Sequence, residues 1–388
     1  MKVSIFATHP IQYHVPWFRG LASRKEIRLK VHYALLPNSE QQGVGFGVPF
    51  DWDIPMLQGY QWEVLSNGAA APSLKGFFKS RVHGAARVLA NEKPDVAILT
   101  GWNAFPLLQV LWAAVAMKIP VVVRGESNVM RPRPTWVHLA HRSLLSFYNG
   151  FLAIGKSNRA FYLLNGVAPE RIFHCPYFVE NDRFVRQLKR LNGDRDVLRS
   201  HWGIREDSTC FLFAGKLERK KRLMDLIEAV NRARASNPKI FLLVVGTGEL
   251  MHEAQRKVQE CRLPAAFAGF LNQTEITQAY CAADCLVLPS DYGETWGLVV
   301  NEAMACGLPA LVSDRVGCGP DLVEENVTGA VFPCGDIAAL AEMLVKLASD
   351  RAILPQMGQQ ARLKVNSYSV ENAVEGTLNA IRSVAGYS

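Results

Sequence analysis

Four residues of this chain have types and spacings suited to chemistry on a charged, hydroxyl-bearing ligand: Glu294 and Glu302, eight positions apart, and Lys216 and Lys221, five apart. The glutamates lie in Pro289–Pro309, a stretch that follows an apolar strand, opens a helix near Gly297 and closes it with Gly307 and Pro309. A helix that starts where a strand ends presents backbone N–H groups and a positive dipole end, which suits a diphosphate. Glu294 sits just before that helix. Glu302 falls inside it beside Ala303-Met304-Ala305, where burial is expected, and a buried carboxylate needs hydrogen-bond donors. A ribose diol supplies two; nearby backbone or an arginine would satisfy it equally. The lysines follow the apolar run Cys210–Ala214, where two cations can neutralise a departing diphosphate or form a solvated basic turn.

Other motifs are less specific. Gly246 and Gly248 form a G-x-G pair without the third glycine of a dinucleotide fingerprint, so NAD binding is not expected. His9 and Gln12 follow the first strand, at a carboxyl end where α/β proteins bind ligands, although a histidine there also serves as loop packing. Asp51-Trp52-Asp53 has the D-x-D form of a manganese site but lies in a loop before Pro55, so chance is the better reading and no metal is expected. The surrounding loop, Pro37 to Pro55, carries Gly43, Gly45 and Gly47 with Phe46, Phe50 and Trp52. It is long for a plain connection and reads either as that or as a binding loop touching acceptor.

Elements to position these residues are legible in the hydrophobic pattern. Short apolar runs (Val3–Ala7, Val96–Leu99, Val121–Val123, Phe151–Ile154) alternate with helical patterns at 76–91, 104–117 and 156–165. The second half repeats the habit with Cys210–Ala214, Ile240–Val245, Cys285–Leu288 and Ala310–Val312 as strands and helices at 221–235, 250–260, 297–306 and 337–348. Such alternation predicts parallel sheets covered by helices. A length of 388 residues predicts two domains, with the boundary in the Cys175–Asp182 region and the polar stretch after it. The opening Met1–Ala7 reads as a buried strand rather than a signal peptide, and no run is long and apolar enough for a membrane span.

Charge is unevenly distributed. Lys plus Arg minus Asp plus Glu gives 19 − 10 = +9 for residues 1–180 and 24 − 25 = −1 for 181–388. The basic half favours an anionic partner such as a membrane surface, a lipid phosphate or an acidic glycan, and no nucleic-acid motif accompanies it. The segment Lys75 to Val82 mixes Phe77 and Phe78 with cations and reads either as a membrane-facing surface or as a helix with a solvated basic edge. Eight scattered cysteines show no zinc spacing; Cys281 and Cys285, running from a helix end into a strand, read as core.

The Pro289–Pro309 stretch resembles the signature of glycosyltransferase family 4, retaining enzymes of the GT-B fold in which E-x7-E follows Pro-Ser and precedes a Glu-Ala-Met-Ala helix. The resemblance implies that Glu294 holds donor-sugar hydroxyls, that the amides of Thr295, Trp296, Gly297 and Leu298 line sugar and phosphate, and that Glu302 binds ribose. Gly215-Lys216-Leu217 is similar to the family's Gly-Arg-Leu, with Lys216 in place of arginine and Lys221 matching the following lysine. By the same resemblance, Gly215, Gly246, Gly248, Phe270 and Leu271 build the nucleotide pocket, with the base near Phe270. The start His9-Pro10-Ile11-Gln12-Tyr13 resembles a bacterial subgroup, which makes His9 and Gln12 substrate-binding candidates. Arg124 and Glu126 stand where relatives place a histidine facing the donor sugar, so either is a candidate for that contact.

The expectation is therefore an α/β protein of two Rossmann-like domains facing each other across a cleft: an acceptor domain 1–180, a donor domain 181–365, and a final helix 366–388 crossing back. The resemblance implies a retaining hexosyltransferase that takes a UDP- or GDP-sugar, needs no metal or other cofactor, and serves a glycan or lipid-linked acceptor in bacterial surface polysaccharide synthesis. It implies a cytoplasmic protein, peripheral on the inner face of the membrane through its basic domain. Two other readings stay open: a nucleotide-sugar epimerase or hydrolase of the same fold, and a non-catalytic nucleotide-sugar or glycan binder.

Overall fold

The computed structural model describes residues 1–65, 76–78, 80–191 and 193–386. The chain divides into two compact units: Met1–Gln42, Ile54–Phe178 and Ser369–Ser388 form unit 1, and Gly43–Asp53 with Val179–Tyr368 form unit 2.

Among the described residues, unit 1 holds a parallel sheet of β1 (Lys2–Ala7), β2 (Arg28–Tyr33), β3 (Gln61–Val64), β4 (Val96–Leu99), β5 (Val121–Val123), β6 (Gly150–Ala153) and β7 (Ile172–His174), in the order β3-β2-β1-β4-β5-β6-β7. Val3 lies between Leu29 on one side and Val96 on the other. The order reverses there, which opens a crevice at the carboxyl ends of β1 and β4. Helices cover both faces, so β4, β5 and β6 are apolar at every position rather than alternating. The helix Val370–Ala385 belongs to this unit: Trp17 Nε1 donates to Thr377 Oγ1 at 3.0 Å, and a Cβ on Gly376 would lie 1.8 Å from the His174 carbonyl.

Unit 2 repeats the plan with β8 (Thr209–Ala214), β9 (Ile240–Val245), β10 (Ala265–Gly269), β11 (Cys285–Leu288), β12 (Ala310–Ser313) and β13 (Gly329–Phe332), in the order β10-β9-β8-β11-β12-β13. Here the reversal falls between β8 and β11, paired through Cys285↔Phe211 and Leu286↔Leu212. Cys210 and Cys285 are buried in that core, and all eight cysteines are free thiols.

Two expectations need correction. The helix expected over 76–91 begins only at Ala85, because Gly76 and Gly84 hold φ of +94° and +76°, outside helical geometry. Phe77 and Phe78 pack on Phe105 from a turn instead, and Lys75 and Lys79 of the same basic segment lie outside the described residues. Lys221 does not open a helix; it ends a short 3₁₀ turn, Arg219–Lys221, and the helix Leu223–Ser236 follows.

Candidate functional site

Both loops that leave the reversal point of unit 2 carry charged residues, and the fold ties them together. After β8 the chain turns through Gly215 to the 3₁₀ turn ending at Lys221, and after β11 it runs Pro289-Ser290-Asp291 toward Glu294. Asp291 N donates to the Lys220 carbonyl at 2.9 Å, which joins the two loops beside the lysine. Lys221 Nζ is then ion-paired with Glu294 Oε2, and Ser290 Oγ stands 3.4 Å from the same oxygen. Both charged side chains are largely enclosed, at 13% and 15% exposure. A cation and a carboxylate thus meet where Rossmann-like units bind ligands.

The helix Leu298–Ala305 starts four residues beyond Glu294. Gly297, its N-cap, has φ +103°, a conformation side-chain-bearing residues rarely adopt, and a Cβ there would lie 2.8 Å from Leu288 Cδ2. Gly317 N and Cys318 N donate to the carbonyls of Glu294 and Trp296, fixing the approach to the helix. Within its first turn, Leu298 and its neighbours have no i−4 carbonyl to bond. The Trp296 ring turns inward, donating to Asn301 Oδ1 at 2.8 Å and packing against Tyr368. Glu302 is 1% exposed and accepts from Tyr280 Oη at 2.6 Å. In this state a ribose diol reaches it only after neighbouring side chains move.

Beside this pair, the ends of β8 and β9 approach to backbone contact. Gly246 has φ +121°, and a Cβ on it would lie 1.9 Å from the Gly215 carbonyl; one on Gly248 would meet the Leu217 carbonyl at 2.7 Å. Glycine is required at both positions for the loops to lie this close. Lys216 points away from Lys221's partner: its Nζ is 3.3 Å from the Val44 carbonyl and 4.4 Å above the Phe46 ring. Phe46 and Phe50 also pack on Phe270, at centroid distances of 5.1 and 4.4 Å. The long glycine-rich loop therefore lies on residues singled out for nucleotide binding. Of the D-x-D pair, Asp53 accepts from Thr274 N at 3.0 Å and from its hydroxyl. No three His, Cys, Asp or Glu among the described residues gather as a metal site.

In unit 1 the candidates cluster at the carboxyl ends of β1 and β5. His9 Nδ1 is 2.9 Å from Thr8 Oγ1, and Gln12 is half-buried in the same loop. Arg124 is 1% exposed, stacked 4.3 Å over Tyr177 and near Trp17 and Phe178. One guanidinium nitrogen lies 3.3 Å from His14 Nε2, while Nε and Nη2 have no hydrogen-bond partner among the described residues. Burial first, then Arg124 and His9, hold the His14 imidazole well below its ordinary pKa, so it is neutral and accepts from the arginine. Glu126 is half-exposed and receives a hydrogen bond of 2.6 Å from Tyr177 Oη, whose pKa burial and Glu126 push up, keeping it a donor. His14 and Tyr177 were not singled out by sequence. Their only signal is that each lies a few residues beyond a strand of this sheet, which many inert residues share.

Residues 194–364, inside unit 2, match the profile of the family described as Glycosyl transferases group 1. The N-acetyl-alpha-D-glucosaminyl L-malate synthase of Bacillus anthracis is 26% identical over 182 residues, 47% of this chain and 47% of that protein. The chain spans about half or less of the length of the curated relatives it matches first. Solved structures align along almost all of it. Alr3699/HepE of Anabaena in complex with UDP has a TM-score of 0.73 at 16% identity, covering 99% of this chain and 100% of that one. A glycosyltransferase from Rickettsia africae has a TM-score of 0.75 at 13% identity, covering 100% and 99%. These likenesses, with the two parallel sheets, give the chain two Rossmann-like units of the GT-B fold class.

Proposed function

We propose that this chain is a glycosyltransferase that binds a nucleotide-sugar on unit 2, with the diphosphate beside Lys221 and the start of the helix Leu298–Ala305, and transfers the sugar with retention. The observation that carries this reading is the Lys221–Glu294 pair at the β8/β11 reversal. A diphosphate would replace Glu294 as the partner of Lys221, and the released carboxylate would take the sugar hydroxyls. As the glycosidic bond breaks, negative charge grows on the leaving diphosphate; Lys221, the helix-start amides and Lys216 would stabilise it. Lys216 keeps its charge but not an arginine's bidentate geometry, so its share is the smaller.

On unit 1, His9, Gln12 and the Tyr177-supported Glu126 are the proposed substrate contacts. Arg124 is assigned beneath them rather than against substrate, because its side chain is enclosed by aromatic rings. The partner classes are a UDP- or GDP-sugar donor and a glycan or lipid-linked acceptor of surface polysaccharide synthesis, with no metal taking part. A panel of UDP-, GDP- and ADP-sugars, scored by thermal shift and then by transfer or slow hydrolysis, tests this. A ligand at 100 times its Kd stabilises by about 2.7 kcal/mol. Binding of none of the three nucleotides, or Glu294→Ala with undiminished transfer, would overturn the reading. Rapid donor epimerisation or hydrolysis without acceptor would replace it with the epimerase or hydrolase alternative.

A further inference from the structure

Segment Gly43–Asp53 belongs to unit 2, although the chain on both sides of it, up to Gln42 and from Ile54, belongs to unit 1. It lies across the carboxyl ends of β8, β9 and β10, touching the residues that follow each of them. The Val44 carbonyl and the Phe46 ring occupy the Lys216 ammonium, at 3.3 and 4.4 Å. The Phe46 carbonyl takes the Thr247 hydroxyl, between Gly246 and Gly248. Phe46 and Phe50 cover Phe270, the first edge-on and the second tilted by 36°. Polar contacts fasten the far end: Asn272 Nδ2 donates to the Asp51 carbonyl at 2.8 Å, and Asp53 caps Thr274.

We propose that Gly43–Asp53 is a built-in strap that fills the nucleotide side of the donor site and must lift before a nucleotide binds, an inference that rests on the donor reading above. Its groups stand in for those of a nucleotide: a carbonyl oxygen where Lys216 would meet a phosphate oxygen, and aromatic rings where a base would stack on Phe270. The sequence is made for this path. Gly43 folds so tightly that a Cβ would lie 2.1 Å from the Val48 carbonyl, and Gly45 and Gly47 hold φ of +94° and +74°. A side chain on Gly45 would also come within 3.0 Å of Lys216 Nζ. The docked state is imperfectly satisfied, since among the described residues Trp52 Nε1 is buried without a hydrogen-bond partner. An unpaired donor penalises docking and leaves the strap displaceable.

Asp53 is exposed and, among the described residues, fastens the strap through Thr274, so Asp53→Ala loosens it without opening the core. Titration of the full chain with UDP, and with GDP as a second probe, compares wild type and variant by calorimetry. If a docked strap reduces the competent fraction, apparent Kd is the intrinsic value divided by that fraction. Losing the Thr274 fastening should tighten UDP on the order of five- to tenfold. Hydrogen exchange on the wild type supplies a readout independent of any variant: saturating UDP should speed exchange of amides 43–53. A variant that binds UDP where the wild type does not supports the strap most strongly. Equal or weaker binding by the variant, or slower exchange of 43–53 with UDP, overturns the strap while leaving the donor site standing. Failure of both proteins to bind either nucleotide overturns the donor reading, and the strap with it.

Discussion

Replacing Lys221 with methionine keeps a long apolar stem and removes the charge, which separates phosphate binding from a structural role. Lys221 and Glu294 are 13% and 15% exposed. A surface pair is worth about 0–1 kcal/mol, and breaking a fully buried pair costs roughly 3–5 kcal/mol. Unit 2 should therefore lose about 2 kcal/mol in stability, between those limits. On a diphosphate the same ammonium makes charge-assisted hydrogen bonds, and losing one costs about 1.5–3 kcal/mol. UDP should then bind about 10- to 150-fold more weakly. Uridine, which lacks phosphate, should change by less than about threefold, since only the stability loss and small rearrangements reach it. Glu294→Gln supplies the opposite sign: with the carboxylate neutralised, Lys221 is released to phosphate, so UDP tightens while sugar transfer falls. Calorimetry with UDP and uridine on folded protein reads all four combinations. Equal weakening of UDP and uridine by Lys221→Met, or a UDP affinity unmoved by either variant, refutes the placement of the diphosphate.

Further predictions concern unit 1. Burial lowers the pKa of both His14 and His32, with Glu63 working against the shift at His32. The unfolded chain then takes up protons that the folded chain refuses, so stability is intact above about pH 6.5 and falls below it, by up to about 1.4 kcal/mol per pH unit for each neutral histidine. Urea melts at neutral and mildly acid pH should show that slope, and a His14→Gln variant with the full slope would contradict it. Arg124 fills space among Trp17, Tyr177 and Phe178, so Arg124→Met should cost under about 1.5 kcal/mol and Arg124→Ala about 2–4 kcal/mol. Equal losses from the two would show that the charge, not the volume, matters there. Trp136 and Leu139 are 70% and 63% exposed on one face of the helix Thr135–Leu145, with Arg131 and Arg142 also exposed. If the basic unit meets a membrane on this face, Trp136→Glu should release the chain from anionic lipid vesicles in a sedimentation assay; unchanged binding would exclude the face.

Much of the fold was readable because a parallel sheet covered on both sides demands uninterrupted apolar strands. β4, β5, β8, β9 and β11 meet that demand. The strands that escaped notice break the pattern for local reasons. β2 carries Arg28 and Lys30, but Lys30 is neutralised by Glu63 and Glu92, and His32 bonds to Glu63 at 2.9 Å, so polar residues pair across an edge. β10 is half-buried throughout and, Phe267 apart, made of alanine and glycine, and β13 begins at a glycine whose Cβ would lie 1.9 Å from the Ala310 carbonyl. Sequence spacing could flag Glu294 and Lys221 as candidates but not their pairing, which depends on the Asp291–Lys220 backbone bond between segments some 70 residues apart. The partners of Lys216 were less accessible still, since Val44 is 172 positions away.

The two lysines both have partners, Lys221 largely enclosed and Lys216 half-buried. An enclosed cation such as Lys221 needs a counterpart, because desolvation is not repaid unless hydrogen bonds or charge replace water. Lys221 has its counterpart inside the site, in Glu294; Lys216 has its own on Gly43–Asp53. On the proposed reading, an arriving diphosphate would substitute for existing partners, and its affinity would be a difference between two sets of contacts. The anion alone gains little by that exchange at Lys216, where a carbonyl and a ring are traded for a phosphate oxygen. On the proposed reading, inorganic pyrophosphate should consequently bind much more weakly than UDP, whose base would also compete for Phe270, and loosening the strap should narrow the gap. Pyrophosphate binding as tight as UDP in both wild type and Asp53→Ala would mean that the lysines act alone and that the aromatic surface takes no part.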